Sequence, residues 1–274
     1  GFSSDGPYRD LPAYDDIIQA ASGMASYQEA YSDQPSYTSG ATADKATGLM
    51  LALSVVSSLF KRNKDNKDLE VEVPMFETMV DFTLVEHLYG YNFLPPKDEP
   101  VYPRQSSPNR KPYETKDGFI AVLPYNDEQW LRFLKFIKKE HLIKTKKFST
   151  LENRNKNVDE LYSLLVKELK KEKTNFWIKK LREIDIPSMK INKPKDLFID
   201  EHLKKTNFFK TYKHSTEGDL MYPRLPVYFN NERDNESKFE APNLGNKTKE
   251  ILIDLGYDKN EIENLRKEKV IFFE

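Results

Sequence analysis

The sequence predicts an α/β protein in two parts. Three features carry that reading: a strand-then-helix succession after residue 68, a proline-rich connector behind it, and a second strand-then-helix succession beyond the connector. Leu69 to Val73 alternates Leu, Val and Val with Glu70 and Glu72, the period of a half-buried strand. Pro74 then opens an apolar-periodic helix through Met75, Met79, Phe82 and Leu88 to Gly90. The connector carries Pro95, Pro96, Pro100, Pro103, Pro108 and Pro112, a composition that favours an extended, semi-rigid chain over a regular element. Beyond it, Gly118 to Leu123 reads as a strand, and Glu128 to Lys138 as a helix burying Trp130, Phe133, Leu134 and Ile137.

The remaining elements follow from the same periodicities. Tyr14 to Gly23 is a short helix with Asp15 and Asp16 in its first turn and Gly23 to end it. Lys45 to Arg62 is the strongest helix: Leu49, Leu53, Val56 and Phe60 recur at helical spacing, Asp44 precedes it, and Lys61 and Arg62 close it. Val158 to Leu169 is amphipathic, and Thr174 is placed to cap a helix carrying Trp177, Leu181 and Ile184 before Pro187. From Ile186 to Phe229 the chain reads as irregular, with a short strand at Val227 to Phe229. Lys247 to Leu255 and Glu261 to Lys267 are helices separated by Gly256.

The 274 residues suffice for two modest domains, and the hydrophobic share of 38% with 17 Phe and 15 Tyr is a folding composition. The 43 Lys and Arg nearly cancel 44 Asp and Glu, so the balance gives no nucleic-acid or membrane footprint. Absence of Cys excludes a disulfide framework, a thiol nucleophile and thiolate-held zinc, and fits a reducing, cytoplasmic setting. The apolar run Leu49 to Phe60 is about half a bilayer span and is broken by Ser54, Ser57 and Ser58, which predicts a buried helix. The chain starts at Gly1 without a signal-type leader, and its opening residues read as a loop, as if the architecture began upstream.

One position carries candidate chemistry. Asp44 stands at the mouth of the apolar helix among Ser39, Gly40, Ala41, Ala43, Ala46 and Gly48, small neighbours that let a ligand approach the backbone. Unpaired N–H groups and the positive dipole end favour an ionised carboxylate there, ready as a nucleophile. Asp is equally a favoured N-cap residue, and spacing alone is satisfied by capping.

Asp44-x-x-x-Gly48 before an apolar helix, followed by a strand, Pro74-Met75-Phe76-Glu77 and another helix, resembles the family III CoA-transferases (CaiB/BaiF, formyl-CoA transferase-like). The resemblance continues through Gly6-Pro7-Tyr8, Tyr14-Asp15-Asp16-Ile17-Ile18-Gln19-Ala20, Arg110-Lys111-Pro112-Tyr113-Glu114-Thr115-Lys116-Asp117-Gly118, Ile186-Pro187, Leu225-Pro226-Val227 and Gly245-Asn246-Lys247-Thr248. No single segment is diagnostic; their order and spacing together are fairly specific.

The resemblance implies part of a doubly wound, Rossmann-like domain with the nucleophile in residues 1–95, a linker at 96–112, and a smaller α/β domain at 113–190. A return linker at 191–226 and a C-terminal segment at 227–274 packing back on the large domain complete the plan. It also implies that two such chains interlock as a homodimer. Asp44 falls on the family's nucleophile and Met75 on a position that contacts CoA. The implied reaction moves CoA from an acyl-CoA donor to a small carboxylic acid through an aspartyl mixed anhydride and an aspartyl-CoA thioester, with the CoA thioester as substrate and no tightly bound cofactor. The family's CoA-binding strands lie largely ahead of Gly1, so this polypeptide alone is expected to be inactive.

Two alternatives stand beside it. The racemase branch pairs its Asp with a His, and Ala13-Tyr14-Asp15 puts Tyr14 where that His belongs, which disfavours a 2-methylacyl-CoA racemase. A non-catalytic remnant is the other, because Asn63 to Asp68 replaces the family's usual glycines. Where the formyl-CoA branch has a Gly-rich loop, this chain has Arg104-Gln105-Ser106-Ser107-Pro108-Asn109-Arg110, which leaves oxalate specificity without its loop. Arg104 and Arg110 are candidates to pair with an acid substrate. His87, His141, His202 and His214 lack metal-ligand spacing, and no metal is expected. His87, late on its helix, is expected to have its charged form favoured by the dipole.

Overall fold

Asp15 and Asp16 open α1 (Asp15–Ala21), which ends at Ser22 before Gly23 turns the chain left-handed at φ +80°, a conformation glycine adopts without a Cβ penalty. The computed structural model describes residues 1–230 and 241–273. Two compact units divide it, the first from Gly1 to Ile191 and the second from Asn192 onward.

In the first unit, α1 is followed by two single-turn helices, α2 (Met24–Tyr27) and α3 (Glu29–Ser32), then by α4 (Thr42–Asp65) and α5 (Met75–His87). Helices α1, α4 and α5 meet around Ile18, Ala43 and Met79, all fully buried, with Phe2, Met75 and Phe76 packed on the outside. Burying an Ile or Met side chain contributes about 1.5–3 kcal/mol.

This cluster covers only the first turns of α4, which corrects the expectation of a buried helix. Only Ala43 and Thr47 are buried in α4, while Leu49, Leu53, Val56 and Phe60 are 75%, 62%, 65% and 76% exposed. Leu51, Val55 and Leu59 are exposed too, so apolar side chains circle the helix where α1 and α5 reach one flank. At 24 residues α4 also outruns the apolar stretch, and by length and composition alone it is long and apolar enough to cross a membrane.

Residues 69–73 form no strand, a second correction. Alternation creates a surface for pairing, but a strand needs a neighbour's N–H and C=O groups, and both described sheets lie elsewhere. Instead the Glu72 carboxylate accepts from the Ser4 amide at 2.7 Å and the Ser4 hydroxyl at 2.9 Å. The two described sheets are short and antiparallel.

The connector is irregular, as its prolines predict, yet pinned along its length. The Tyr102 amide donates to His87 Nδ1 (3.2 Å), Gln105 to Glu86 (2.7 Å), Arg104 Nε to the Tyr162 hydroxyl (3.1 Å), and the Ser107 hydroxyl to Asp159 (2.7 Å).

Beyond it, β1 (Tyr113–Thr115) and β2 (Gly118–Val122) form a hairpin to which β3 (Ser188–Lys190) adds, in the order β1-β2-β3. Tyr113 lies opposite Ile120, and Ala121 opposite Met189. Helices α6 (Asp127–Phe136), α7 (Leu151–Lys156), α8 (Val158–Leu169) and α9 (Thr174–Glu183) accompany the sheet. Their apolar stripes bury Phe133, Leu161, Leu165, Leu169 and Leu181 completely, and Trp177 gives its indole N–H to the Leu169 carbonyl at 2.8 Å.

The start of α6 follows the local rule, since Asn126 and Gln129 form a capping box. The start of α9 does not. Thr174 is already inside the helix; its amide (2.8 Å) and hydroxyl (2.9 Å) both donate to Asp117 of the β1–β2 turn, which caps α9 from another element.

The second unit contains α10 (Glu201–Lys205), a hairpin of β4 (Phe209–His214) and β5 (Gly218–Pro223), and helices α11 (Thr248–Asp254) and α12 (Lys259–Lys267). The hairpin corrects the irregular reading of this stretch, where the flanking prolines masked a turn closed by Gly218 at φ +79°. The buried His214 ring holds that turn, its Nδ1 facing the amides of Thr216 and Glu217 at 3.2 and 3.3 Å. Val227–Phe229 belongs to neither sheet. Residues 231–240 and 274 of the expected C-terminal segment lie outside the described residues. Gly256 (φ +94°) separates α11 from α12, and Asp258 caps the latter through Asn260 and Glu261.

Candidate active site

Asp44 lies in the first turn of α4 rather than at its cap. The cap is Ala41, which has no side-chain acceptor, and the chain reaches it through Gly40 at φ +92°. Asp15 supplies what Ala41 lacks: its Oδ1 accepts the Asp44 amide at 3.0 Å, and the Ala43 amide also faces its carboxylate. N–H groups expected to be unpaired at the helix mouth are therefore occupied by a second carboxylate.

A buried amide sets that second carboxylate. Gln19, with no exposed surface, donates from Nε2 to Asp15 Oδ2 at 2.6 Å. Its Oε1 accepts the Thr38 amide (2.9 Å) and hydroxyl (3.0 Å). Partial burial pushes the Asp15 carboxyl upward, but the bonds from Gln19, Asp44 and Ala43, with the charge of Lys45, more than offset it and hold Asp15 below the usual carboxylate range.

The Asp44 carboxylate itself is exposed and has no hydrogen-bond or ion-pair partner among the described residues. Its backbone is fixed while its oxygens remain free, an arrangement suited to nucleophilic attack. Gly48, one turn on, has open space where a side chain would stand. Met75 is partly buried and packs against the outside of the Ile18–Ala43–Met79 cluster that supports this turn.

Arg104 and Arg110 do come together, in a cavity of about 500 Å3 that Asp44 does not line. Lys111, Tyr113, Val122, Leu123, Tyr162 and Ser188 share its wall. Burial works against the Arg104 charge, but its bonds to Tyr162 and Tyr102 prevail and raise its pKa. The Tyr113 phenol is pushed up by burial and stays protonated.

His87 departs from the dipole expectation. It stacks on Tyr27 with ring centres 3.9 Å apart and accepts the Tyr102 amide through Nδ1, which requires the neutral ring. Burial lowers its pKa, against the opposing charge of Glu86.

Asp15, Gln19 and Thr38 carry the site yet were not singled out as site residues by sequence reasoning. The i,i+4 spacing of Asp15 and Gln19 was readable, but the approach of Asp15 to a helix 29 residues away was not. Tyr14, opposite the racemase histidine in the sequence, is 78% exposed.

The chain matches CoA-transferase family III over residues 1–248. It is 28% identical to the (R)-2-hydroxy-4-methylpentanoate CoA-transferase of Clostridioides difficile, over 99% of this chain and 68% of that protein. It is 27% identical to the cinnamoyl-CoA:phenyllactate CoA-transferase of Clostridium sporogenes, covering 99% and 67%. With the human succinyl-CoA:glutarate CoA-transferase it shares 26% identity, covering 97% and 60%. A CAIB/BAIF family protein from Brucella suis shares the fold at a TM-score of 0.68 and 23% identity, over 93% of this chain and 66% of that one. The chain thus spans roughly 60–68% of the length of these relatives. With that match running through nine-tenths of its length, this chain belongs to CoA-transferase family III.

Proposed function

We propose that this chain carries the nucleophile of an enzyme that transfers CoA from an acyl-CoA donor to a carboxylic acid acceptor, with Asp44 as the residue that bonds to substrate. The single observation supporting it is the free, exposed Asp44 carboxylate on a backbone anchored by Asp15. An Asp44 oxygen attacks the thioester carbonyl; the C–S bond breaks, CoA leaves as thiolate, and a mixed anhydride remains. The thiolate then attacks the aspartyl carbonyl of that anhydride, releasing the donor acid as carboxylate and leaving an aspartyl-CoA thioester. The acceptor carboxylate repeats both exchanges in reverse, which frees Asp44 and conserves the thioester without ATP. Relatives named for 2-hydroxy-4-methylpentanoate, phenyllactate and glutarate support an acceptor among small organic acids.

Met75 as a CoA contact and Arg104 and Arg110 as acid-binding residues belong to the same reading, as do a doubly wound large domain, an interlocked homodimer and a cytoplasmic setting. Racemisation is the weaker reading, because it needs a second acid–base group and exposed Tyr14 is a poor one. The test is trapping: incubation of the full-length protein with an acyl-CoA and then hydroxylamine should convert Asp44 to its hydroxamate, seen by peptide mass spectrometry. An unmodified Asp44, with transfer surviving in Asp44→Ala, would overturn the mechanism. Exchange of the acyl α-hydrogen for deuterium without an acceptor acid would favour racemisation instead.

A further inference from the structure

The cavity that joins Arg104 to Arg110 is asymmetric in its chemistry. Arg104, Arg110 and Lys111 bring three cations to its wall, and no Asp or Glu lines it. The rest is largely apolar, with Ala121, Val122 and Leu123 from β2 and its end and Pro187 and Met189 from the neighbouring β3 and its start. Its volume of about 500 Å3 falls among ordinary small-molecule sites.

The two guanidiniums are held in place without being paired to an acid. Arg104 donates from Nε to the Tyr162 hydroxyl at 3.1 Å, and its guanidinium carbon lies 4.9 Å from the centre of the Tyr125 ring. Arg110 donates from Nη1 to the Tyr31 hydroxyl at 3.0 Å, and that hydroxyl in turn donates to the Gln105 carbonyl. Every one of these partners is neutral, so both guanidiniums keep full charge and unused donors, and little freedom remains to be lost on binding. The buried Ser188 hydroxyl on the same wall has no protein partner.

We infer that this cavity binds an organic carboxylate with an apolar body, Arg110 and Lys111 taking the carboxylate, Arg104 fixing its orientation, and the apolar lining from β2 and β3 covering the hydrocarbon. Planar guanidinium matches a carboxylate edge-on. A bare inorganic anion would satisfy the cations but leave the apolar walls unused, which favours a ligand with both parts. The inference rests on the transfer reading only for calling that ligand a substrate.

The test is calorimetric titration of the protein with 3-phenylpropanoate, with 3-phenylpropanol as a probe of like shape without charge, and with inorganic phosphate. Saturable binding of the carboxylate alone is expected, weakened at least about tenfold in an Arg110→Gln, Lys111→Gln double variant. Ala121→Phe, which fills the cavity from β2 and keeps every cation, should weaken it as well. Arg110→Lys should lose less than Arg110→Gln. Equal affinity for the alcohol, equal affinity for phosphate, binding indifferent to the double variant, or no saturation would each overturn the inference. Circular dichroism of each variant separates lost binding from lost folding. Asp44→Ala should bind as the parent does: an absent hydroxamate with intact binding faults the transfer reading, while hydroxamate formation without binding faults the cavity.

Discussion

The Asp15 carboxylate accepts the backbone N–H of Asp44 at 3.0 Å, so that one acid anchors the helix turn from which the other projects. The division of labour follows from position. Asp15 sits on α1 opposite the open end of α4 and spends its oxygens on amides and Gln19, whereas Asp44 spends none.

Removing Asp15 should therefore loosen the turn rather than delete the nucleophile. Asp15→Ala is expected to cost about 1 kcal/mol of stability, the usual cost of losing a helix cap. It should slow formation of the Asp44 adduct without abolishing it, while Asp15→Asn, which keeps one acceptor oxygen, retains part of both. Chemical denaturation and the hydroxamate yield report the two effects. Because the Asp15 pKa is lowered in the fold, its contribution is complete above the ordinary value of 3.8 and fades as pH falls through the native value.

Asp44→Ala should behave in the opposite way. The side chain bonds nothing in the described structure, so the thermal midpoint should stay near that of the parent while adduct formation disappears. A variant that unfolds would show that Asp44 has a structural partner.

Asp117 repeats the arrangement at α9, accepting both the amide and the hydroxyl of Thr174. Asp117→Ala should lower the midpoint of thermal unfolding and raise amide exchange in the first turn of α9. Thr174→Val, which keeps the amide donor, should do less. Equal exchange in Asp117→Ala and parent would rule out capping from the β1–β2 turn.

His87 predicts a pH dependence of stability. Its native pKa is lowered by burial, so the unfolded chain binds a proton that the native ring refuses. Stability from this group is complete above its ordinary value of 6.5 and is lost as pH falls through it, levelling off below the native pKa. His87→Gln should flatten this part of the stability profile. Urea midpoints between pH 5 and 8, on about half-unit steps, would reveal the slope.

Much of the molecule was legible in the residues alone. The periodicity of Val158–Leu169, the helix read over Glu261–Lys267, the helix-ending glycines at 23 and 256, and the Asp-x-x-x-Gly spacing at Asp44 are properties of neighbouring residues. Local chemistry is sufficient to determine them. What only the tertiary structure decided are relations between distant residues: which acid caps α4 and α9, whether Leu69–Val73 finds a strand to pair with, how much of α4 its neighbours cover, and that Arg104 and Arg110 share one cavity. The physical reason is common to all four. An unpaired N–H, an alternating segment, an apolar face and a guanidinium each state a need in the sequence, and each need can be met by any suitable group that the fold brings within a few ångströms.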